Sequence, residues 1–244
     1  MIDAGAAWFS LGSGPTAGRV CAVFREAAYL RIGDHVLAVG SGAIPSGPLH
    51  LRTARFSSIA LAVGDPVALR GGRLQVPRLE VELREERRWL PPAVDGHALR
   101  ARTGWVPGGL VTAPGLPAAC LAAAVRSASV GDLEAAAALL GGRGPGLTPA
   151  GDDVLAGILV VDALLRPEGQ AERRSLVGRV RTTDVAGAFL RWAAMGQSIR
   201  PTHDLLAAVA AGHPRAEAAA RAELIGMGAS SGAAMLRGMQ IGLA

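Results

Sequence analysis

The sequence contains no lysine and no asparagine, so all 25 of its basic residues are arginines. The absence of lysine excludes two kinds of site, a Schiff-base lysine and a phosphate-binding loop that ends in a lysine. Aromatic residues make up only 4% of the chain, and the densest charged run, "ELREERRW" at 82–89, mixes both signs and is interpreted as a solvated strand face. The formal charge of +5 therefore does not indicate a surface for nucleic acid.

Cysteine and long apolar runs are also scarce. Cys21 and Cys120 are the two thiols, and we interpret them as buried free cysteines of a reducing compartment. No run of about 18 apolar residues is free of charges and helix breakers, so no membrane span is predicted. The first residues lack the basic start and apolar core of a signal peptide. We therefore expect a cytoplasmic protein that binds no membrane.

Half of the 244 residues are hydrophobic, which excludes a disordered chain and allows a sizeable core. Up to about residue 112, short β-rich runs alternate with turn pairs such as GD and GG, a pattern typical of a small antiparallel barrel or sandwich. The predicted strands span residues 20–24, 27–32, 35–40, 58–63, 67–70, 73–77 and 80–85.

From Pro117 onward, alanine-rich segments separated by short turns predict helices. They cover residues 117–129, 132–140, 149–166, 169–182, 184–199, 203–211, 214–227 and 230–243. Strands and helices do not alternate, which argues against a Rossmann fold. The predicted class is α+β, with a β-rich domain over 1–112 and a helical domain over 113–244.

The helical part contains a glycine-rich loop, "GRGPGLTPAGDD", over residues 142–153. Gly144 and Gly146 allow positive φ or a close approach of the backbone to a ligand. Thr148 followed by Pro149 predicts a helix start, with threonine as the N-cap and proline at the first helical position. The loop therefore leads directly into a helix.

Gly151, Asp152 and Asp153 lie at the beginning of that helix, whose remainder is apolar on almost every side. One carboxylate there is explained by the helix dipole. Two on a buried helix are costly unless a cation or a proton accompanies them. We interpret the loop as a site for a polar substrate, bridged by Arg143 or by Mg²⁺ held on the two aspartates. A plain helix cap is the alternative.

Two segments of the helical part resemble each other. "GDDVLAG" spans Gly151–Gly157 and "GAAMLRG" spans Gly232–Gly238, and a helix-start signal precedes each, with Ser230 and Ser231 in the second case. One hypothesis is that both helices begin side by side and direct their N-termini at one pocket. The alternative is a pair of small-residue faces for close helix packing.

Histidine offers little support for catalysis in this sequence. His203 stands at a predicted helix start, where a surface or capping role is the first interpretation, although its charge can change near neutral pH. No zinc-ligand spacing and no Ser-His-Asp or Cys-His arrangement stands out.

The loop and helix start, "GPGLTPAGDDVLAG" over residues 144–157, resemble the signature of the AllH-like family. Weaker matches are "PSGPLHL" at 45–51, "TTDVAGAFLRWAAMGQ" at 182–197 and "GASSGAAMLRG" at 228–238. The named member of this family is a subunit of the oxamate carbamoyltransferase of allantoin degradation, part of purine catabolism.

The resemblance implies transfer of a carbamoyl group between phosphate and a small amide such as oxamate or oxalurate, within a complex. The implied partners are companion subunits of the acyl-CoA-synthetase-like and AllG types. Such a reaction requires preorganised N–H and guanidinium donors around a tetrahedral centre. The candidate catalytic residues are Thr148, Asp152 and Asp153. The candidate substrate- or phosphate-binding residues are Arg143, Gly144, Gly146, Gly151, Ser230, Ser231, Gly232 and His203.

Two other classes of function stay open. A non-catalytic assembly subunit would use the loop to contact a partner protein, or would bind only a small anion for an acyl-transfer complex. A small-molecule-binding regulator is disfavoured because no helix-turn-helix with base-reading arginines is evident.

Overall fold

The computed structural model describes residues 1–11, 14, 16–106, 109–129 and 131–244. The chain divides into two compact units, Met1–Pro91 and Pro92–Ala244. The first contains a sheet and the second contains helices, so the predicted α+β class is confirmed. A boundary between independently folding domains after residue 112 stays a prediction.

In the first unit, the described residues form one sheet of eight strands in the order β1-β5-β4-β3-β2-β6-β7-β8. Every neighbouring pair is antiparallel except β4 and β5, which are parallel. A short helix, α1 (Ala6–Ser10), follows the first strand. The strands are β1 (Asp3–Ala4), β2 (Thr16–Val23), β3 (Ala27–Ile32), β4 (His35–Gly40), β5 (His50–Arg52), β6 (Pro66–Arg70), β7 (Arg73–Val76) and β8 (Leu79–Glu82).

The sheet is curled, and the segment after its last strand reaches the opposite edge. Ala4 of β1 forms a β-bridge with Arg88, and the Trp89 N–H donates to the Ala4 carbonyl oxygen at 2.8 Å. Trp8 fills the interior, and its indole N–H donates to the Leu49 carbonyl oxygen at 2.9 Å.

Several details of the first unit differ from the predictions. The strand predicted over 58–63 is wrong, because Phe56–Ser58 is a 3₁₀ turn and no strand follows until β6. Strands β1 and β5 and helix α1 were missed because they are too short to show a period. Cys21 and Cys120 are free, as expected, but each is half-buried instead of buried.

The second unit consists of helices, and each predicted helix is present with ends that differ by a few residues. The largest difference is at α7, which stops at Ala193 and not at 199, because the chain turns there through Gly196 with a φ of +76°. The helices are α2 (Gly96–Arg100), which was not predicted, α3 (Ala118–Ser129), α4 (Leu133–Leu140), α5 (Ala150–Leu165), α6 (Gln170–Arg179), α7 (Asp184–Ala193), α8 (Arg200–Ala211), α9 (Pro214–Ile225) and α10 (Ser231–Gly242).

Helices α5 and α10 form the centre of this unit and pack unusually closely. A Cβ placed on Gly238 would lie 2.0 Å from the Val154 carbonyl oxygen, and one on Gly157 would lie 2.3 Å from the Met235 carbonyl oxygen. Only glycine permits this separation of the two backbones. Further along, Gly242 lies beside Val161. Because the contacts advance towards higher residue numbers on both helices, the two helices run in the same direction.

Among the described residues, no helix combines the length and the apolar character that crossing a membrane requires.

Candidate functional site

The loop between α4 and α5 has the backbone conformation that its glycines predict. Gly142, Gly144 and Gly146 have φ values of +68°, +117° and +90°. The loop is exposed around these positions, and Arg143 lies within it. The described residues provide no hydrogen bond or ion pair for the Arg143 guanidinium, so this cation faces solvent next to the start of α5.

Asp152 anchors the loop from the first turn of α5. Its carboxylate is buried, with Oδ1 accepting from the Gly142 N–H at 2.9 Å and Oδ2 accepting from the Thr182 hydroxyl. Burial raises the pKa of Asp152, and these two hydrogen bonds act in the opposite direction. With both oxygens accepting hydrogen bonds from the chain, Asp152 holds the loop in place.

Asp153 has a different environment. Its Oδ2 is buried and has no hydrogen-bond partner among the described residues. Burial raises the pKa of Asp153 to about 7, a hydrogen bond with the Ser231 side chain lowers it in part, and the charge of Asp152 raises it further. At neutral pH this carboxyl is therefore present in both protonation states and has a free oxygen for a ligand.

Thr148 does not cap α5 as predicted. Helix α5 begins at Ala150 with Pro149 as its N-cap, and the Pro149 carbonyl oxygen accepts from the N–H groups of Asp152 and Asp153. The Thr148 hydroxyl oxygen instead lies 3.2 Å from that of Ser231, the first residue of α10.

Thr148, Asp153 and Ser231, here called the helix-start cluster, meet where α5 and α10 begin. The hypothesis that the two helices begin side by side is confirmed. The alternative is also correct, since the same helices pack through Gly157 and Gly238. That the shared end forms a ligand pocket stays a prediction.

Gly151 and Gly232 have packing functions that the sequence did not reveal. The Gly151 N–H donates to the Arg143 carbonyl oxygen at 2.8 Å, and the Gly232 N–H donates to the Met227 carbonyl oxygen at 3.0 Å. Neither N–H is therefore available to an anion, which corrects the predicted donor function of Gly151. A Cβ on either glycine would collide with a carbonyl oxygen at the end of the preceding helix.

Ser230 is the N-cap residue of α10, but its hydroxyl makes no capping hydrogen bond. The hydroxyl therefore stays available at the helix start. Ser230 thus remains a candidate ligand-binding residue, although no described contact joins it to the helix-start cluster.

His203 is buried, with 1% of its surface exposed, so its interpretation as a surface residue is wrong. Its Nε2 accepts from the Ser198 N–H at 2.9 Å, and burial lowers its pKa to about 4. The imidazole is therefore neutral at pH 7. No described hydrogen bond connects it to the helix-start cluster.

Magnesium held on the two aspartates stays a prediction. The described residues contain no group of three or more histidine, cysteine, aspartate or glutamate side chains able to hold a metal ion. Both oxygens of Asp152 accept hydrogen bonds, and Oδ2 of Asp153 has no hydrogen-bond partner among the described residues.

The sequence analysis did not identify three polar residues as important. Thr182 holds Asp152, and Arg173 and Arg237 are buried arginines. Arg237 is the single charged residue in the otherwise uncharged segment 232–242, and this isolation is the signal that would have identified it.

Two cavities lie near the other end of α5. One of about 430 Å³ lies between α4 and α6, with Arg166, Arg173 and Arg179 in its wall. Another of about 270 Å³ is lined by Asp162 and by residues at the end of α10. Neither includes a residue of the helix-start cluster.

Comparison with known proteins bears on the helical unit that carries the cluster. Residues 140–243 match the family model described as oxamate carbamoyltransferase subunit AllH. Over this stretch the chain is similar to that family. The match agrees with the family suspected from the sequence, whose name denotes a subunit of an oxamate carbamoyltransferase. Neither the search of curated proteins nor that of solved structures finds a match.

Proposed function

We propose that this AllH-type chain helps to bind and process the substrate in a carbamoyltransferase complex. The substrate is oxamate, oxalurate or a similar small amide, and the co-substrate is carbamoyl phosphate or phosphate. The observation that carries the proposal is the helix-start cluster, in which Asp153 has a buried oxygen that lacks a hydrogen-bond partner in the part of the chain that the structure describes. The match of residues 140–243 supports membership of the complex.

The reaction defines what the cluster must do. In the direction from oxalurate, a phosphate oxygen attacks the ureido carbonyl carbon, and a tetrahedral oxyanion forms. The C–N bond to oxamate then breaks, the new C–O bond remains in carbamoyl phosphate, and the departing nitrogen takes up a proton. Asp153, whose pKa is about 7, is suited to supply that proton and to recover it in the reverse direction.

Groups beside Asp153 can donate hydrogen bonds to a developing oxyanion. The hydroxyls of Thr148 and Ser231 can donate, and two helix N-termini add positive potential. The N–H groups of Gly144 and Gly146 donate in none of the described backbone hydrogen bonds. Together with Arg143, they support binding of a carboxylate or phosphate at the loop.

A second candidate function is favoured by Leu147, whose side chain is exposed in the same loop. An apolar residue there fits contact with a companion subunit of the AllG or acyl-CoA-synthetase-like type. The chain would then be an assembly subunit without chemistry of its own.

Activity of the assembled complex distinguishes the two functions. Formation of carbamoyl phosphate from oxalurate and phosphate is measured with Asp153→Asn, and Glu86→Gln serves as a matched change at an exposed carboxyl. We expect Asp153→Asn to lose roughly 100-fold or more in rate, the usual contribution of a general acid, while the complex still assembles. An unchanged rate with intact assembly would favour the assembly function.

A further inference from the structure

The helical unit buries two arginines, and their surroundings differ sharply. Arg173 has 2% of its surface exposed, and its guanidinium is well supplied with partners. Its Nε donates to the Ala194 carbonyl oxygen at 3.0 Å, and its Nη1 donates to Asp162 Oδ2 at 2.8 Å and to the Arg166 carbonyl oxygen at 2.9 Å. This is a structural arginine, with a carboxylate that balances its charge.

Arg237 on α10 has 9% of its surface exposed, yet no ion pair is described for it. Its Nε is buried without a hydrogen-bond partner among the described residues. The positions three and four residues before it, which could supply an acid on the same helix face, are Ala234 and Ala233. Gln240, three residues after it, is engaged with Val111 and Gly109.

An arginine in such surroundings lowers the stability of the folded state. A charge that is taken out of water without a counter-ion is disfavoured. A lysine or histidine escapes this cost by losing its proton, but a guanidinium stays charged at neutral pH. Burial lowers the pKa of Arg237, in agreement with an uncompensated charge. The fold that neutralises Arg173 therefore leaves Arg237 available for an anion from outside the chain.

The helix register relates this cation to Ser230, the N-cap residue of α10. Ser230 and Arg237 are seven residues apart, two helical turns along one face of α10, a rise of about 10 Å. Side chains on a helix lean towards its N-terminus, and an arginine is long enough to cover the preceding turn. From this general preference we expect the Arg237 side chain to cover the turn before it, on the Ser230 side of α10.

We infer that Arg237 binds a small oxyanion, a phosphate or a carboxylate group, at the Ser230 side of the α10 start. Because only 9% of the Arg237 surface is exposed, a small anion can reach this side chain more readily than the surface of a partner protein can. The inference deepens the proposed function, on which it rests, because phosphate and oxamate are the anions of that reaction. Arg237 would then be the buried cation of the site, with Arg143 as the exposed one.

The test measures binding of inorganic phosphate and, separately, of oxamate to the full chain by titration calorimetry. Arg237→Met keeps the length and removes the charge, and Arg215→Met is the same change at an exposed arginine of α9. We expect Arg237→Met to weaken binding of at least one anion about tenfold or more, as loss of a charge-assisted contact does. Its Tm without ligand should be equal to or higher than that of the unmodified chain, because the uncompensated charge is gone. Arg215→Met should change neither quantity.

A second variant keeps the arginine. Ala233→Glu places a carboxylate four residues before Arg237, where it should pair with the guanidinium and compete with the anion. We expect weaker anion binding together with a higher Tm. The anion that loses affinity in both variants identifies whether phosphate or carboxylate occupies the site.

Several results would overturn the inference. They are unchanged affinity in both variants, a large fall in the Tm of Arg237→Met with anion binding intact, and no measurable binding of either anion to the unmodified chain. The failure of the proposed function has another signature. In that case Asp153→Asn leaves carbamoyl transfer by the complex unchanged, whatever Arg237 binds.

Discussion

The hydroxyl oxygens of Thr148 and Ser231 lie 3.2 Å apart, although 83 residues separate them in the chain. This contact joins the beginnings of two helices that run in the same direction, so two positive dipole ends lie next to each other. Asp152 and Asp153 stand in the first turn of α5, where negative charge offsets that repulsion. The same arrangement therefore stabilises the beginnings of both helices, and its use as a ligand site stays a prediction.

Close packing of α5 on α10 is expected to depend on their glycines. Gly238→Ala should lower the free energy of unfolding by several kcal/mol or prevent folding, because the new Cβ would lie 2.0 Å from a backbone oxygen. Gly178→Ala on α6 is the matched control, since nothing lies within 4 Å of its Cβ. It should stabilise the chain by about 0.5–1 kcal/mol through helix propensity. Urea denaturation measures both, and equal effects would contradict the packing argument.

Asp152 is expected to act mainly through its hydrogen bonds. Asp152→Ala removes the acceptor of the Gly142 N–H and the Thr182 hydroxyl, and should cost about 2–3 kcal/mol of stability. Asp152→Asn should cost clearly less, because its oxygen can still accept from Gly142 and its amide can donate to the threonine hydroxyl. Chemical denaturation at pH 7 compares the two variants. Equal losses would show that the negative charge matters more than the hydrogen bonds.

The pKa of Asp153 predicts a stability that falls as the pH rises. The unfolded chain releases this proton near pH 3.8 and the folded chain near 7, so the folded state binds more protons between these values. Relative to Asp153→Asn, the unmodified chain should therefore lose stability progressively from about pH 4 to pH 7. The limit is about 1.4 kcal/mol for each unit by which the two pKa values differ. Thermal unfolding of both proteins across this range is the measurement, and a constant difference would exclude the raised pKa.

His203 predicts the opposite trend. Its pKa is lowered from 6.5 to about 4 in the folded chain, so the unfolded state binds the extra proton between these values. Stability should fall as the pH is lowered from about 6.5 to 4, and His203→Gln should remove that part of the dependence. His50 has a pKa of about 4 for the same reason and would stay in both proteins. The quantity to follow is therefore the difference in stability between the unmodified chain and His203→Gln at each pH. If this difference does not change with pH, the histidine is not buried as a neutral group.

The sequence by itself determined the class of the fold and the positions of its longer helices along the chain. Alanine-rich runs bounded by glycine and proline are local signals, and all eight predicted helices are present because local propensity and tertiary packing agree there. The strands of two or three residues, Asp3–Ala4 and His50–Arg52, could not be predicted, because they exist only through pairing with distant neighbours. The parallel pairing of β4 and β5 is likewise invisible in a local pattern.

For the candidate site, the sequence determined the glycine loop, the two aspartates and the likeness of the two helix starts. Only the tertiary structure decided what each residue does. It engaged both oxygens of Asp152 and left one oxygen of Asp153 without a partner, although the two residues are adjacent and identical. Burial, pKa and charge balance depend on what other segments bring alongside a residue. For that reason Arg173 has a carboxylate within reach and Arg237 has none among the described residues.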